Sequence, residues 1–159
     1  MDQFRSPTLG LMNLPGLVDR VVSFIETENN SHFKIVVGTD SELTGNSTAH
    51  FVSAIVIHHV GHGGVYFWSQ SVRNNIKDLR QRMYEEATFS LSLAQKLLNE
   101  FKKRALPLDK LLEIHVDVGQ NGDTKMMINE ITGMIRGSGF ICKTKPDSFA
   151  ASNVADRHT

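Results

Sequence analysis

Asp40, Glu86, Asp117, Asp147 and Asp156 are the residues best suited to chemistry, and each sits where its charge needs a reason. Asp40 closes the apolar run IVVGTD at 35–40, and Asp is among the residues least favoured in buried strands. It is either a turn residue that ends the strand or a charge displayed at the edge of a sheet. Asp117 lies two residues before the end of LLEIHVDVG at 111–119 and poses the same choice. If these two strands are parallel neighbours, both carboxylates sit at one carboxyl-end edge, where α/β sheets bind ligands. Two carboxylates there repel each other, so a positive group is expected between them.

The pair Glu85-Glu86 lies in a long helical pattern over about 74–104. Its apolar stripe is Ile76, Leu79, Met83, Ala87, Ala94, Leu97 and Phe101, with Ser90 on the same line. At about 100° per residue, Glu85 falls opposite this stripe and Glu86 within roughly 60° of its centre. Glu86 therefore leans toward the sheet, where an unpaired carboxylate is costly. A divalent cation shared with Asp40 and Asp117 would compensate it; a salt bridge to Arg82 is the plainer alternative. Asp147 follows Pro146 and precedes Ser148, which suits a helix N-cap. Asp156, in NVADRHT, suits a cap less well; its plain alternative is a surface residue beside Arg157.

Carboxylates drawn from distant parts of a chain suit hard cations, Mg²⁺ or Mn²⁺, which prefer oxygen ligands. Zinc fits less well, because the seven histidines show no tight ligand spacing and there is one cysteine. Two hard cations about 3.5–4 Å apart would activate a water and stabilise the leaving oxygen in phosphodiester hydrolysis.

The elements that must position these groups follow from periodicity. MDQFRSPTLGLMN reads as a loose arm, and 14–30 as an amphipathic helix ending in Asn-Asn. Residues 33–40, 51–60 and 65–72 read as strands, with ELTGNSTAH and GHGG as the loops between them. After the long helix come a strand at 111–119, a helix over 124–136 with Asp123 as N-cap, and a strand at 139–145. PDSFAASNVADRHT closes the chain, helical in part. A three-strand antiparallel meander followed by strand-helix units predicts an α/β fold with a mixed five-stranded sheet flanked by helices.

A chain of 159 residues makes a single domain, here residues 1–30 as arm and helix and 33–159 as core. Its formal net charge of zero gives no global attraction for nucleic acid or membrane, so a polyanion would be held by a local patch or through metal ions. Lys143 and Lys145, and Arg73, Lys77, Arg80 and Arg82, are the basic residues that could face phosphates; the plain reading is solvated charge. His115 and His158 lie near the acidic candidates, and Tyr66 and Trp68 could stack on bases, though packing explains them as well. A single cysteine, no basic-then-apolar start and no run near the roughly 18 apolar residues of a membrane span lead to the expectation of a cytoplasmic protein.

IVVGTDSE, AIVIHHVGHGGVYF, RMYEEATFSLSLAQ, EIHVDVGQNGDTK and KPDSFAASNVADRHT resemble the ribonuclease H-like superfamily, and within it the uncharacterised YkuK-type family, across about residues 33–159. That resemblance implies a ribonuclease H-like fold with acidic residues on the first core strand, the following helix, the end of the fourth core strand and the C-terminal helix. Asp40, Glu86, Asp117 and Asp156 match these places in order, with Asp147 as a replacement or additional ligand. It implies a two-metal nuclease acting on RNA, RNA–DNA hybrid or structured DNA, with Mg²⁺ or Mn²⁺ as cofactor. The alternative is a non-catalytic binding or regulatory module on the same scaffold, partnering nucleic acid or protein.

Overall fold

The computed structural model describes residues 3–27, 32–118, 122–145, 147–148, 154 and 158. The chain runs β1 (Gln3–Ser6), β2 (Gly10–Asn13), α1 (Leu14–Thr27), β3 (Phe33–Thr44), β4 (Thr48–His59), β5 (Gly63–Arg73), α2 (Leu79–Lys103), β6 (Leu112–His115), α3 (Ile128–Gly137) and β7 (Ile141–Lys143). Short 3₁₀ turns at Asp109–Leu111 and Gly122–Met127 lead into β6 and α3. The strands form one mixed sheet in the order β2-β1-β5-β4-β3-β6-β7.

The expected meander is β3-β4-β5, antiparallel throughout, and β6 and β7 add in parallel beside β3. The sheet has seven strands rather than five. The two extra strands are the opening arm, which folds as the hairpin β1-β2 and docks on β5 through the pairing Arg5–Trp68. Phe4 and Ser6 are its buried positions. Four-residue strands with one large apolar residue facing inward carry almost no period-2 signal, so only the docking partner makes them strands.

ELTGNSTAH is also mostly strand. β3 and β4 stay paired to Thr44–Thr48, and the reversal uses Gly45 and Ser47 at positive φ, 65° and 66°. Glu42, Leu43 and Thr44 are exposed, so this part of the hairpin stands clear of the core and its pattern is polar. The long helix begins at Leu79 rather than near 74, because Asp78 caps it: Gln81 N–H donates to Asp78 Oδ1 over 2.7 Å. Ile76 is buried, but before the helix, in a small cluster with Ala49, Phe51 and Phe89.

The main core lies between α1, α2, α3 and one face of the sheet. Leu17, Val21, Ile35, Ile55, Leu97 and Phe101 are fully inaccessible there, each contributing roughly 1.5–3 kcal/mol of burial. The opposite face carries a smaller cluster of Val36, Val52, Ala54, Val56 and Val154. No helix of the described residues is long and apolar enough to cross a membrane.

Candidate metal centre at the carboxyl edge of the sheet

β3 and β6 run parallel, in register at Ile35–Leu112, Val36–Glu113 and Val37–Ile114. Carrying that register three residues further brings Asp40 level with Asp117. The β6–β7 pairing ends at His115–Lys143, short of the expected 119. Val116 N–H still donates to the Lys143 carbonyl (3.0 Å), but Lys145 N–H then donates to the carbonyl of Val118 (3.1 Å), two residues beyond the Val116 carbonyl that an unbroken ladder would use. Asp40 and Asp117 thus stand level on neighbouring parallel chains, with the backbone of Lys145 tied just past Asp117. Alternation turns the two aspartates away from the main-core face, where Val37 and Ile114 point.

Glu86 reaches the same edge from α2 on the other face. It is 6% exposed, whereas the side chain of Glu85 is 33% exposed and lies 4.0 Å from Arg73. Ser41, one residue past Asp40, donates its hydroxyl to Glu86 Oε1 over 2.5 Å. Burial, chiefly, pushes the Glu86 carboxyl up to about 8, with the charges of Asp40 and Asp117 adding to it; the Ser41 hydrogen bond and Arg82 work in the opposite direction. Glu86 and Asp117 line one small cavity with Thr39, Ser90, Val116 and Val118. Above it, Thr39 shares buried hydroxyl hydrogen bonds with Ser90 (2.8 Å) and Ser53 (3.0 Å), which tie α2 to β3 one turn beyond Glu86.

The sequence offers Lys145 either as solvated charge or as a residue facing phosphates; its Nζ lies 2.7 Å from Asp117 Oδ1. The hydrogen bond and charge of Asp117, and the charge of Asp40 behind it, raise the Lys145 pKa. Ser41 and Lys145 are the site residues that sequence reasoning missed or misassigned. Ser41 was legible in principle, since it lies two residues beyond Thr39 on the face that meets α2.

Asp147 is exposed, in a turn where its N–H and that of Ser148 both donate to the Thr144 carbonyl. Asp156, and the side chain of Asp123, lie outside the described residues. His115 is buried, bonded through Nε2 to Glu113 Oε1 (2.8 Å). His158 stacks on Trp68 with ring centroids 4.1 Å apart, and Arg5 lies 5.6 Å from the centre of the same indole ring system. Packing therefore occupies the aromatic pair that could have stacked on bases.

The donor set fits a hard cation in kind. Asp40, Glu86, Asp117 and the Ser41 hydroxyl are all oxygen donors, and burial disfavours the ionised form of Glu86. Among the described residues, no three His, Cys, Asp or Glu side chains come close enough together to hold a metal ion between them.

An antiparallel meander, a long helix with an inward glutamate and a parallel strand leading to an aspartate define a mixed α/β protein with an acidic carboxyl edge. A family model described as Ribonuclease H-like matches residues 16–159, and the chain belongs to that family. It is similar to the uncharacterized protein YkuK of Bacillus subtilis (strain 168), 30% identical over 161 residues that cover 93% of this chain and 91% of that one. No solved structure matches it.

Proposed function

We propose that this chain is a divalent-metal-dependent nuclease that hydrolyses phosphodiester bonds in RNA, RNA–DNA hybrid or structured DNA. The observation that carries the reading is the convergence of three carboxyl groups from separate elements at one sheet edge, where Asp40 and Asp117 both oppose the ionisation of Glu86. A fold gains nothing from such repulsion unless a cation relieves it. Asp40 and Asp117 would hold Mg²⁺ or Mn²⁺ at the open side of the edge, and Glu86 would complete the set from α2. Asp156 is the proposed fourth ligand, with Asp147 as its alternative. Bound there, a pair of such ions supplies a nucleophilic water and charge stabilisation for the leaving oxygen. The protein's own part is to fix the carboxylates: Ser41 orients Glu86, and the Thr39–Ser90 bond holds α2 at its distance from β3.

The test is hydrolysis of labelled single-stranded RNA, RNA–DNA hybrid and four-way DNA junctions in Mn²⁺. Cleavage by the wild type that is lost in Asp117→Asn and in chelator supports the reading. Absence of cleavage on all three substrates at millimolar Mn²⁺ sinks it. One observation favours the second reading, a binding or regulatory module without turnover: the Lys145 ammonium already neutralises Asp117.

A further inference from the structure

We infer that Lys145 is a built-in cation of the acidic edge: it occupies the open side of Asp117, competes with the divalent ion, and thereby sets the metal concentration at which the site loads. This rests on the metal-dependent reading of the same site. The contact follows from backbone structure rather than from a chance rotamer. The Lys145 N–H is bonded to the Val118 carbonyl, which ties its backbone one residue past Asp117, and from there its Nζ reaches Asp117 Oδ1 at 2.7 Å. Lys143, two residues earlier, falls level with His115, so the ladder keeps it away from the edge.

The pair is also displaceable. The Lys145 side chain is 58% exposed and that of Asp117 34%, so the ammonium can withdraw into water at little cost. An ammonium is a point charge with no coordination geometry to satisfy, and it can neutralise Asp117 without preventing a better-coordinated divalent ion from replacing it. With Lys145 in place, the net charge offered to an incoming cation by Asp40, Glu86 and Asp117 is less negative by one unit. Removing that unit strengthens cation binding by about tenfold, the order expected for one charge a few ångströms away in a partly solvated setting.

The experiment is calorimetric titration of Mn²⁺ into the wild type, Lys145→Gln, Lys145→Arg and Asp117→Asn, with folding of each checked by circular dichroism. Lys145→Gln is expected to bind about tenfold more tightly, Lys145→Arg like the wild type, and Asp117→Asn not at all. Equal affinity in the wild type and Lys145→Gln overturns the competition while leaving the metal reading intact. Tighter binding in both Lys145→Gln and Lys145→Arg also overturns it, since the effect would then not be one of charge. No binding in any variant overturns both. Tight binding in Lys145→Gln without cleavage of any nucleic acid upholds the competition and removes the nuclease reading alone.

Discussion

β6 and the segment that continues it carry two acidic residues four positions apart on the same side of the chain, and the protein treats them in opposite ways. Glu113 lies inside the sheet, 7% exposed, and it is answered from within the chain: His115 Nε2 lies 2.8 Å away and Lys34 Nζ 4.0 Å away. Burial, chiefly, lowers the His115 pKa, and Glu113 opposes that shift, so the neutral ring can donate from Nε2 to the carboxylate. Asp117 lies past the regular end of the strand. There it stands with Asp40, a charge of its own sign, and with Glu86, whose ionisation both aspartates oppose, and it has the exposed Lys145 as its counter-ion. Mid-sheet, no outside ion can reach a charge, so an unanswered one would not survive folding. At the open edge, an ion from solvent can finish what the chain leaves unfinished. Like charge is tolerated only where it can be relieved from outside, and that is the physical case for a site at Asp117 and against one at Glu113.

The largest effect that could break this comparison is on chemistry. Asp40→Asn and Asp117→Asn are each expected to lower Mn²⁺-dependent cleavage by at least about 100-fold. The melting temperature should stay within a few degrees of wild type, because each change relieves repulsion at an exposed edge. A large fall in Tm in calorimetry, with cleavage per folded molecule retained, would make these aspartates structural.

Glu113→Ala should do the reverse. It leaves a buried His115 without its acceptor and is expected to cost about 1–3 kcal/mol, a fall of roughly 2–4 °C in Tm per kcal/mol for a chain of this size. Cleavage by the folded fraction should be unchanged. Thermal denaturation read alongside activity separates the two acids directly.

A third prediction concerns pH. The Glu86 carboxyl ionises near 4.5 when unfolded and at about 8 when folded. Between those values the unfolded chain has released a proton that the folded chain keeps, so stability falls as pH rises and levels off above about 8. Glu86→Gln removes the ionisation but keeps an acceptor for Ser41. In chelator, it should raise Tm by at least about 3 °C at pH 8.5 and leave it nearly unchanged at pH 4. Added Mn²⁺ should shrink or reverse the difference at the higher pH. A mutant that is equally stabilised at both pH values would mean that shape, not charge, is at issue.

The smallest effect belongs to Lys34→Ala. Its ammonium is 4.0 Å from Glu113 and its side chain 44% exposed, so urea denaturation should show a change of less than about 0.5 kcal/mol. A larger loss would show that Glu113 depends on more than His115.

Much of this arrangement was legible in the residues themselves. Period-2 and continuous apolar patterns marked the central strands, and the phase of α2 separated a buried Glu86 from a half-buried Glu85. Both are local properties, set by the pleat of a strand and the turn of a helix. Glu113, His115 and Asp117 were legible as one face of a strand, but not as a buried pair and an edge charge.

What only the tertiary structure decided is which distant segments meet. The opening arm became two strands because β5 offered a free edge and the core offered a place for Phe4. Lys145 became a partner of Asp117 because its backbone is tied to the Val118 carbonyl beside it, a relation between residues 28 apart in the chain that no local pattern encodes. His158 and Trp68, likewise far apart in the chain, meet only in the folded protein. The sequence by itself determined the elements and the face on which each acidic residue lies, because those depend on neighbours within a turn or a pleat. Register and strand order decided which charges stand together, because they are settled by the packing of the whole sheet.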